Sequence, residues 1–234
     1  KLEGLTLGVI GVGNVGSKVV KVGESLGMRV LKNDLPRAEL EDPKAYVSLQ
    51  HLAEECAVLT FHVPLYIKGV YKTFHLADAA FLQSLKRKPV IINTSRGEVV
   101  ETEALLEALE CGMVSDAIID VWENEPNINS TLLQHAFIAT PHIAGYSADG
   151  KANATRMALD ALCSFFHVEA TYEIAPPMPA ETTIHASSLA EAHLQIYNPM
   201  VDSCALKSMS SSFENLRGNY PLRREALAYH IELD

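Results

Sequence analysis

A short β-branched run, Thr6–Ile10, leads straight into Gly11-Val12-Gly13-Asn14-Val15-Gly16, and a helical stretch opens inside that turn. No other feature restricts the fold of this chain as much. Glycines at that spacing between a strand and a helix allow a tight turn, let a pyrophosphate approach the backbone, and bring helix and strand into close packing. The helix amino terminus then offers unpaired N–H groups and a positive dipole end to an anion. Asp34 follows where the second strand ends, in the range expected of a ribose-binding carboxylate. Such a carboxylate accepts from ribose hydroxyls and repels a 2′-phosphate, so NAD is favoured over NADP. Lys32 and Arg37 nearby weaken that preference, and a plain turn residue is the alternative reading of Asp34. The glycines nearly spell a triphosphatase loop too, but Ser17 precedes Lys18 where that loop needs lysine directly after the last glycine.

The rest of the first 140 residues repeats the alternation. Strands are expected at 6–10, 28–31, 57–61, 89–92, 116–119 and 137–139, with helices at 14–26, 49–55, 77–85, 102–110 and 130–134. Near-continuous Val/Ile/Leu runs between amphipathic helices indicate a parallel sheet covered on both faces, so the fold class is α/β, a doubly wound parallel (Rossmann) sheet. A long helix is expected from 147 to 167, then an extended Ala175-Pro176-Pro177-Met178-Pro179 linker. The tail holds a helix candidate at 188–201 and a strand-like end at 226–232. It is too small for an independent core and is expected to pack on a partner chain or on the main domain. The division that follows is 1–146, 147–170 and 171–234.

Composition excludes several function classes. Lys and Arg number 19 against 29 Asp and Glu, a formal charge of -10, which argues against a nucleic-acid surface because phosphate binding rests on clustered Lys and Arg. No apolar run approaches the length of a membrane span, and glycines break up the apolar stretch from Leu5 to Val15, which reads as strand and turn rather than signal segment. Cys56, Cys111, Cys163 and Cys204 are widely spread, so a reducing, cytoplasmic setting is expected.

Polar residues gather where the later strands end, at Asn93-Thr94-Ser95-Arg96-Gly97, at Asp120 through Pro126, and at Thr140 through Tyr146. Open α/β sheets place their ligands at that edge. Arg96, Glu125 and His142 suit oxidation of a hydroxyl beside a carboxylate. The guanidinium grips the carboxylate in a planar fork, the imidazole takes the hydroxyl proton, and the glutamate orients the imidazole. Arg96 as a helix-end ion pair and Glu125 as a solvated turn are the bland alternatives. His51, His62 and His75 have no comparable partners in sequence. Metal-binding or serine-nucleophile motifs are absent, so no metal is expected.

Together the glycine turn, Asp34, N-x-x-R-G, D-V-x-x-x-E-P and P-H-I-A-G resemble the D-isomer-specific 2-hydroxyacid dehydrogenases over about residues 4–168. Thr60 through Leu65, Tyr71 through Asp78, His142 through Tyr146 with Gly150-Lys151, and Leu216 through Glu225 narrow the likeness to a branch acting on a phosphorylated 2-hydroxy acid. The resemblance implies that Arg96 and Glu125 are catalytic and that His142 donates or accepts the proton. It implies contacts to NAD from Gly11, Gly13, Asn14, Val15, Gly16, Asp34, Thr60, Thr94, Ser95, Arg96, Asp120 and Gly145, and to substrate from Tyr146. It also makes the tail a small C-terminal α+β dimerisation domain, hence a homodimer. In this family the cofactor domain is inserted into a substrate lobe built mainly from an amino-terminal segment; this chain starts where the cofactor domain starts. NAD(H) binding with poor turnover by the isolated chain is therefore expected. The rival readings are the same chemistry on another acid, such as 3-phosphoglycerate, and a non-catalytic NAD(H)-binding interaction module. The intact trio argues against the second. A carbonyl reductase would need a Tyr-x-x-x-Lys that the chain lacks in a suitable place.

Overall fold

The computed structural model describes residues 2–233. The chain runs through β1 (Thr6–Ile10), α1 (Asn14–Ser25), β2 (Arg29–Asn33), α2 (Leu35–Leu40), α3 (Leu49–Glu55), β3 (Val58–Phe61), α4 (Ala79–Gln83), β4 (Val90–Asn93), α5 (Thr102–Glu110), β5 (Asp116–Ile119), α6 (Ser130–His135) and β6 (Ile138–Ala139). It continues with α7 (Ala148–Phe166), β7 (Thr183–Ala186), α8 (Leu189–Ile196), α9 (Pro199–Ser208), α10 (Phe213–Gly218) and β8 (His230–Leu233). Short polar residues start most of these helices. Ser48, Asp78, Asn129, Ser147, Ser188 and Asn198 each accept a backbone N–H of the first turn.

Six strands form one parallel sheet in the order β2-β1-β3-β4-β5-β6. After β1 the chain steps outward to β2, then returns across β1 to place β3 on its other side. That reversal opens a crevice beyond the carboxyl ends of β1 and β3, where sheets of this kind bind ligands. Ile10, Leu59, Phe61, Ile91, Leu105 and Leu133 are almost wholly removed from solvent at the centre, each burial contributing roughly 1.5–3 kcal/mol.

The tail shares this core. Leu206 of α9 and Phe213 of α10 are fully buried in the same apolar cluster, and the Ser203 hydroxyl accepts the Ala139 N–H at 3.0 Å on the outer strand β6. Of the two packing modes expected for the tail, this part takes the main domain.

Several elements differ from expectation. The helix expected over 188–201 is two helices, because Pro199 has no N–H to continue the ladder; Asn198 caps the second one instead. The helix expected over 77–85 is confined to α4, since Ala77 bridges Val100 in a strand-like pairing. The end expected as strand over 226–232 begins with a 3-10 turn, Ala226–Ala228, and only then becomes β8, which pairs in parallel with the unexpected β7. The helix α2 was not expected either. It is short and opens on Asp34 with Pro36 in its first turn. The long helix α7 buries only Ala152 and leaves Met157, Leu162, Phe165 and Phe166 exposed.

Candidate active site

The glycine turn separates into three physical requirements. Gly11 has φ +86°, and a Cβ there would lie 2.6 Å from the His62 carbonyl, so β1 and β3 can end side by side only with glycine. At Gly16 a Cβ would fall 1.9 Å from the Gly11 carbonyl; glycine lets α1 close on the turn. A Cβ at Gly13 would touch nothing of the protein. Its backbone lies open to whatever approaches from outside. Helix α1 starts at Asn14 with no side-chain cap and no acid in its first turn, leaving the orphan N–H groups of a helix start and its positive end bare. These features fit the diphosphate of a dinucleotide.

Asp34 ties this turn to β2. Its Oδ2 accepts the Val12 N–H at 2.8 Å and its Oδ1 the Arg37 N–H at 3.1 Å, so it is also the cap of α2. Each oxygen keeps a lone pair for a ribose hydroxyl. The two cations that weakened the preference for NAD are occupied elsewhere. Arg37 pairs with Glu41 at 2.8 Å and donates to the Val12 carbonyl, and Lys32 lies over the Tyr46 ring. A cleft of about 220 Å³ lies beside Asp34, walled by Ile10, Leu49, Val63 and Pro64 with Tyr71 at its rim. The His62 ring, set aside by sequence reasoning, lines it and meets the buried Thr60 hydroxyl at 2.9 Å. Burial lowers the His62 pKa, favouring the neutral ring. The available signal was position, since His-Val-Pro directly follows β3 at the crevice.

On the other half of the sheet, two strand-end side chains shape the loops. Buried Asn93 donates to the Arg96 carbonyl at 2.9 Å and accepts from the Ser95 N–H and hydroxyl, curling 93–96 into a tight loop with Thr94 half-buried. Arg96 is exposed, donates to the Ser95 carbonyl at 2.6 Å, and pairs with no carboxylate among the described residues. The glycine after it is obligatory, because a Cβ at Gly97 would lie 2.0 Å from the Trp122 carbonyl group. The arginine loop is thus pressed against the loop that carries Glu125.

Asp120 does the same for the last loop. Its buried carboxylate accepts from Thr140 Oγ1 at 2.6 Å, Ile143 N at 2.8 Å and Ala144 N at 3.0 Å, and its carbonyl accepts from His142 N at 2.7 Å. One lone pair of Oδ2 remains for a ligand. These bonds hold His142 at φ +56°, a conformation that costs a non-glycine residue roughly 1–3 kcal/mol. Glu125 accepts the Trp122 N–H at 2.8 Å on one oxygen and meets His142 Nδ1 at 2.8 Å with the other. With Nδ1–H donating to the carboxylate, Nε2 presents its lone pair outward as a proton acceptor. Gly145 is exposed and open, whereas the Tyr146 ring packs edge-on against Tyr220 at 6.1 Å.

The Glu125 loop also holds a second imidazole. His75 Nε2 meets Glu123 at 2.7 Å, a partner that sequence reasoning had not found. Burial alone would raise the Glu123 pKa, but hydrogen bonds from Thr102 and His75 outweigh it and hold the carboxyl below its usual range.

Residues 1–144 match the family model described as D-isomer specific 2-hydroxyacid dehydrogenase, NAD binding domain. Erythronate-4-phosphate dehydrogenase of Bacteroides thetaiotaomicron is 63% identical over 231 residues, covering 99% of this chain and 66% of that protein. The Porphyromonas gingivalis protein of the same name is 39% identical over 238 residues, covering 98% of this chain and 64% of that one. The chain thus spans about two thirds of the length of these curated relatives. Among solved structures, D-lactate dehydrogenase from Aquifex aeolicus complexed with NAD and lactic acid is similar with a TM-score of 0.59 at 31% identity, covering 70% of this chain and 54% of that one.

Proposed function

The chain belongs to the D-isomer-specific 2-hydroxyacid dehydrogenases and carries their NAD-binding domain, and from that premise we propose that the protein oxidises 4-phospho-D-erythronate to 2-oxo-3-hydroxy-4-phosphobutanoate, as an erythronate-4-phosphate dehydrogenase of vitamin B6 biosynthesis. The His142–Glu125 pair at 2.8 Å carries this reading, set on the sheet edge that also bears the bare amino terminus of α1. Bound NAD supplies the acceptor for the hydride leaving C2. Gly11, Gly13, Asn14, Val15 and Gly16 hold its diphosphate, and Asp34 holds its ribose. Thr60, Thr94, Ser95, the Arg96 backbone, Asp120 and Gly145 hold the rest.

Arg96 grips the substrate carboxylate, its exposed guanidinium keeping two parallel N–H donors available. His142 Nε2 takes the C2 hydroxyl proton, and Glu125 steadies the imidazolium that results. The products are the 2-oxo acid, the reduced cofactor and one proton. Tyr146 borders the substrate. Supplied with NAD and 4-phospho-D-erythronate, the full-length enzyme is expected to form NADH with that acid in preference to 3-phosphoglycerate; no NADH from either acid would overturn the reading.

The proposal extends to a homodimer. The exposed apolar residues of α7 and the fully exposed Leu227 of the tail support a covering partner chain. It also extends to the cytoplasm, in keeping with four free cysteines. No helix among the described residues is long and apolar enough to cross a membrane.

A further inference from the structure

The tail segment from Arg217 to Glu225 is bound to the loop that carries His142. Arg223 donates to the Ile143 and Ala144 carbonyls at 2.9 and 3.0 Å, and its own carbonyl accepts the Ala148 N–H at 2.7 Å. Arg224 makes a fork with Asp149, with bonds of 2.9 and 3.0 Å. Glu225 takes the Ser147 hydroxyl at 2.7 Å. Two of the three arginines in this segment are therefore consumed in docking the tail.

Arg217 is not. Its guanidinium carbon lies 5.5 Å from the centre of the Tyr146 ring, and Lys151 Nζ lies 4.4 Å from the same centre. Neither cation pairs with a carboxylate among the described residues, and Arg217 Nε is buried with no hydrogen-bond partner. The ring quadrupole compensates part of this charge. It leaves the buried donor unsatisfied, at a cost that only an acceptor removes. Two unpaired cations on one ring are notable in a chain with 29 acids against 19 bases. Convergence of like charges without a counterion is the arrangement of an anion site. Asp149 and Glu225, the acids through which the segment is docked, are held by Arg224 and Ser147.

We infer that Lys151 and Arg217, gathered over Tyr146, hold the phosphate monoester of the substrate and so select phosphorylated acids. This rests on the dehydrogenase reading, in which His142, on the same loop, works at C2 while the phosphate sits on C4. The tail then contributes to specificity as well as to packing.

Full-length Lys151→Gln, Arg217→Gln and the double variant test this, with kinetics on 4-phospho-D-erythronate and on unphosphorylated erythronate. Each single change is expected to raise KM for the phosphorylated acid and to lower the kcat/KM preference for it on the order of ten-fold. Arg217→Lys should recover part of that preference. Inorganic phosphate, titrated calorimetrically, should bind the parent and not the double variant. A preference unchanged within two-fold, or equal losses on both acids in variants with parental melting curves, would overturn the phosphate assignment and leave the dehydrogenase reading intact. Phosphate binding by a parent that reduces no NAD would do the reverse.

Discussion

Glu123 and Glu125 leave the same loop after β5 and each meets a histidine, His75 at 2.7 Å and His142 at 2.8 Å. Both histidines have positive φ, +50° and +56°. The side chains are also alike in exposure, 26% and 17% in the first pair against 28% and 20% in the second. Pair geometry and burial therefore do not separate them. Their other contacts do. The second oxygen of Glu123 accepts the Thr102 N–H at 2.8 Å at the start of α5, and the His75 ring stacks on Phe74. That pair joins three segments of the fold. Glu125 spends its second oxygen on Trp122, within its own loop, which aims the carboxylate without tying it to another element. His142 Nε2 has no partner among the described residues. His75 Nδ1 likewise has no partner among the described residues, so the free nitrogen does not separate the pairs. A carboxylate that braces another element marks a strut, and one spent within its own loop leaves its imidazole a candidate base.

Changing each member in turn in the full-length enzyme sharpens this contrast. His142→Ala is expected to lower kcat by about 10²–10⁴-fold with the melting temperature nearly kept; activity within a few-fold of the parent would erase the distinction. Glu125→Gln should cost on the order of ten- to a hundred-fold in kcat, because the imidazolium that forms in the reaction loses its neighbouring charge. His75→Gln should leave kcat nearly unaltered and destabilise the fold by about 1–2 kcal/mol in denaturant unfolding.

The smallest effect belongs to Glu123→Gln. Its carboxyl sits below the usual range in the folded protein, so its stabilising contribution is complete above the unfolded carboxyl value, about 4.3, and is lost as pH falls through the lower folded value. The parent should therefore lose more stability than Glu123→Gln on acidification below about pH 5, by about 1 kcal/mol or less after solvent screening. Equal acid limbs in chemical denaturation would show that the carboxylate adds nothing.

Much of the sheet was legible because parallel strands buried on both faces are runs of β-branched residues, as Val58–Phe61 and Val90–Asn93 illustrate. The turn at 11–16 was legible in the same way, since only glycine satisfies the close approaches at 11 and 16. Partners inside the site were less so. Asn93 and Asp120 stand out as motif positions, but that each clamps a loop through the hydrogen bonds of a buried side chain is written in no local pattern. The pairing of His75 with Glu123 spans 48 positions. β7 and its pairing with β8 were hidden because the two strands are remote in sequence and β7 is mostly exposed, so it shows no buried periodicity.

What the amino-acid sequence determines alone is local. Periodicity and backbone sterics act within a few residues, and they are enough for the alternating strands and helices and for a turn open to a diphosphate. Where the tail rests, which carboxylate each histidine receives, and that Lys151 and Arg217 meet over Tyr146 depend on segments far apart in the chain. Such contacts need the folded sheet to bring their partners together, and the meeting over Tyr146 also needs α10, anchored in the core by Phe213, because side-chain electrostatics acts over a few ångströms in space whatever the separation along the chain.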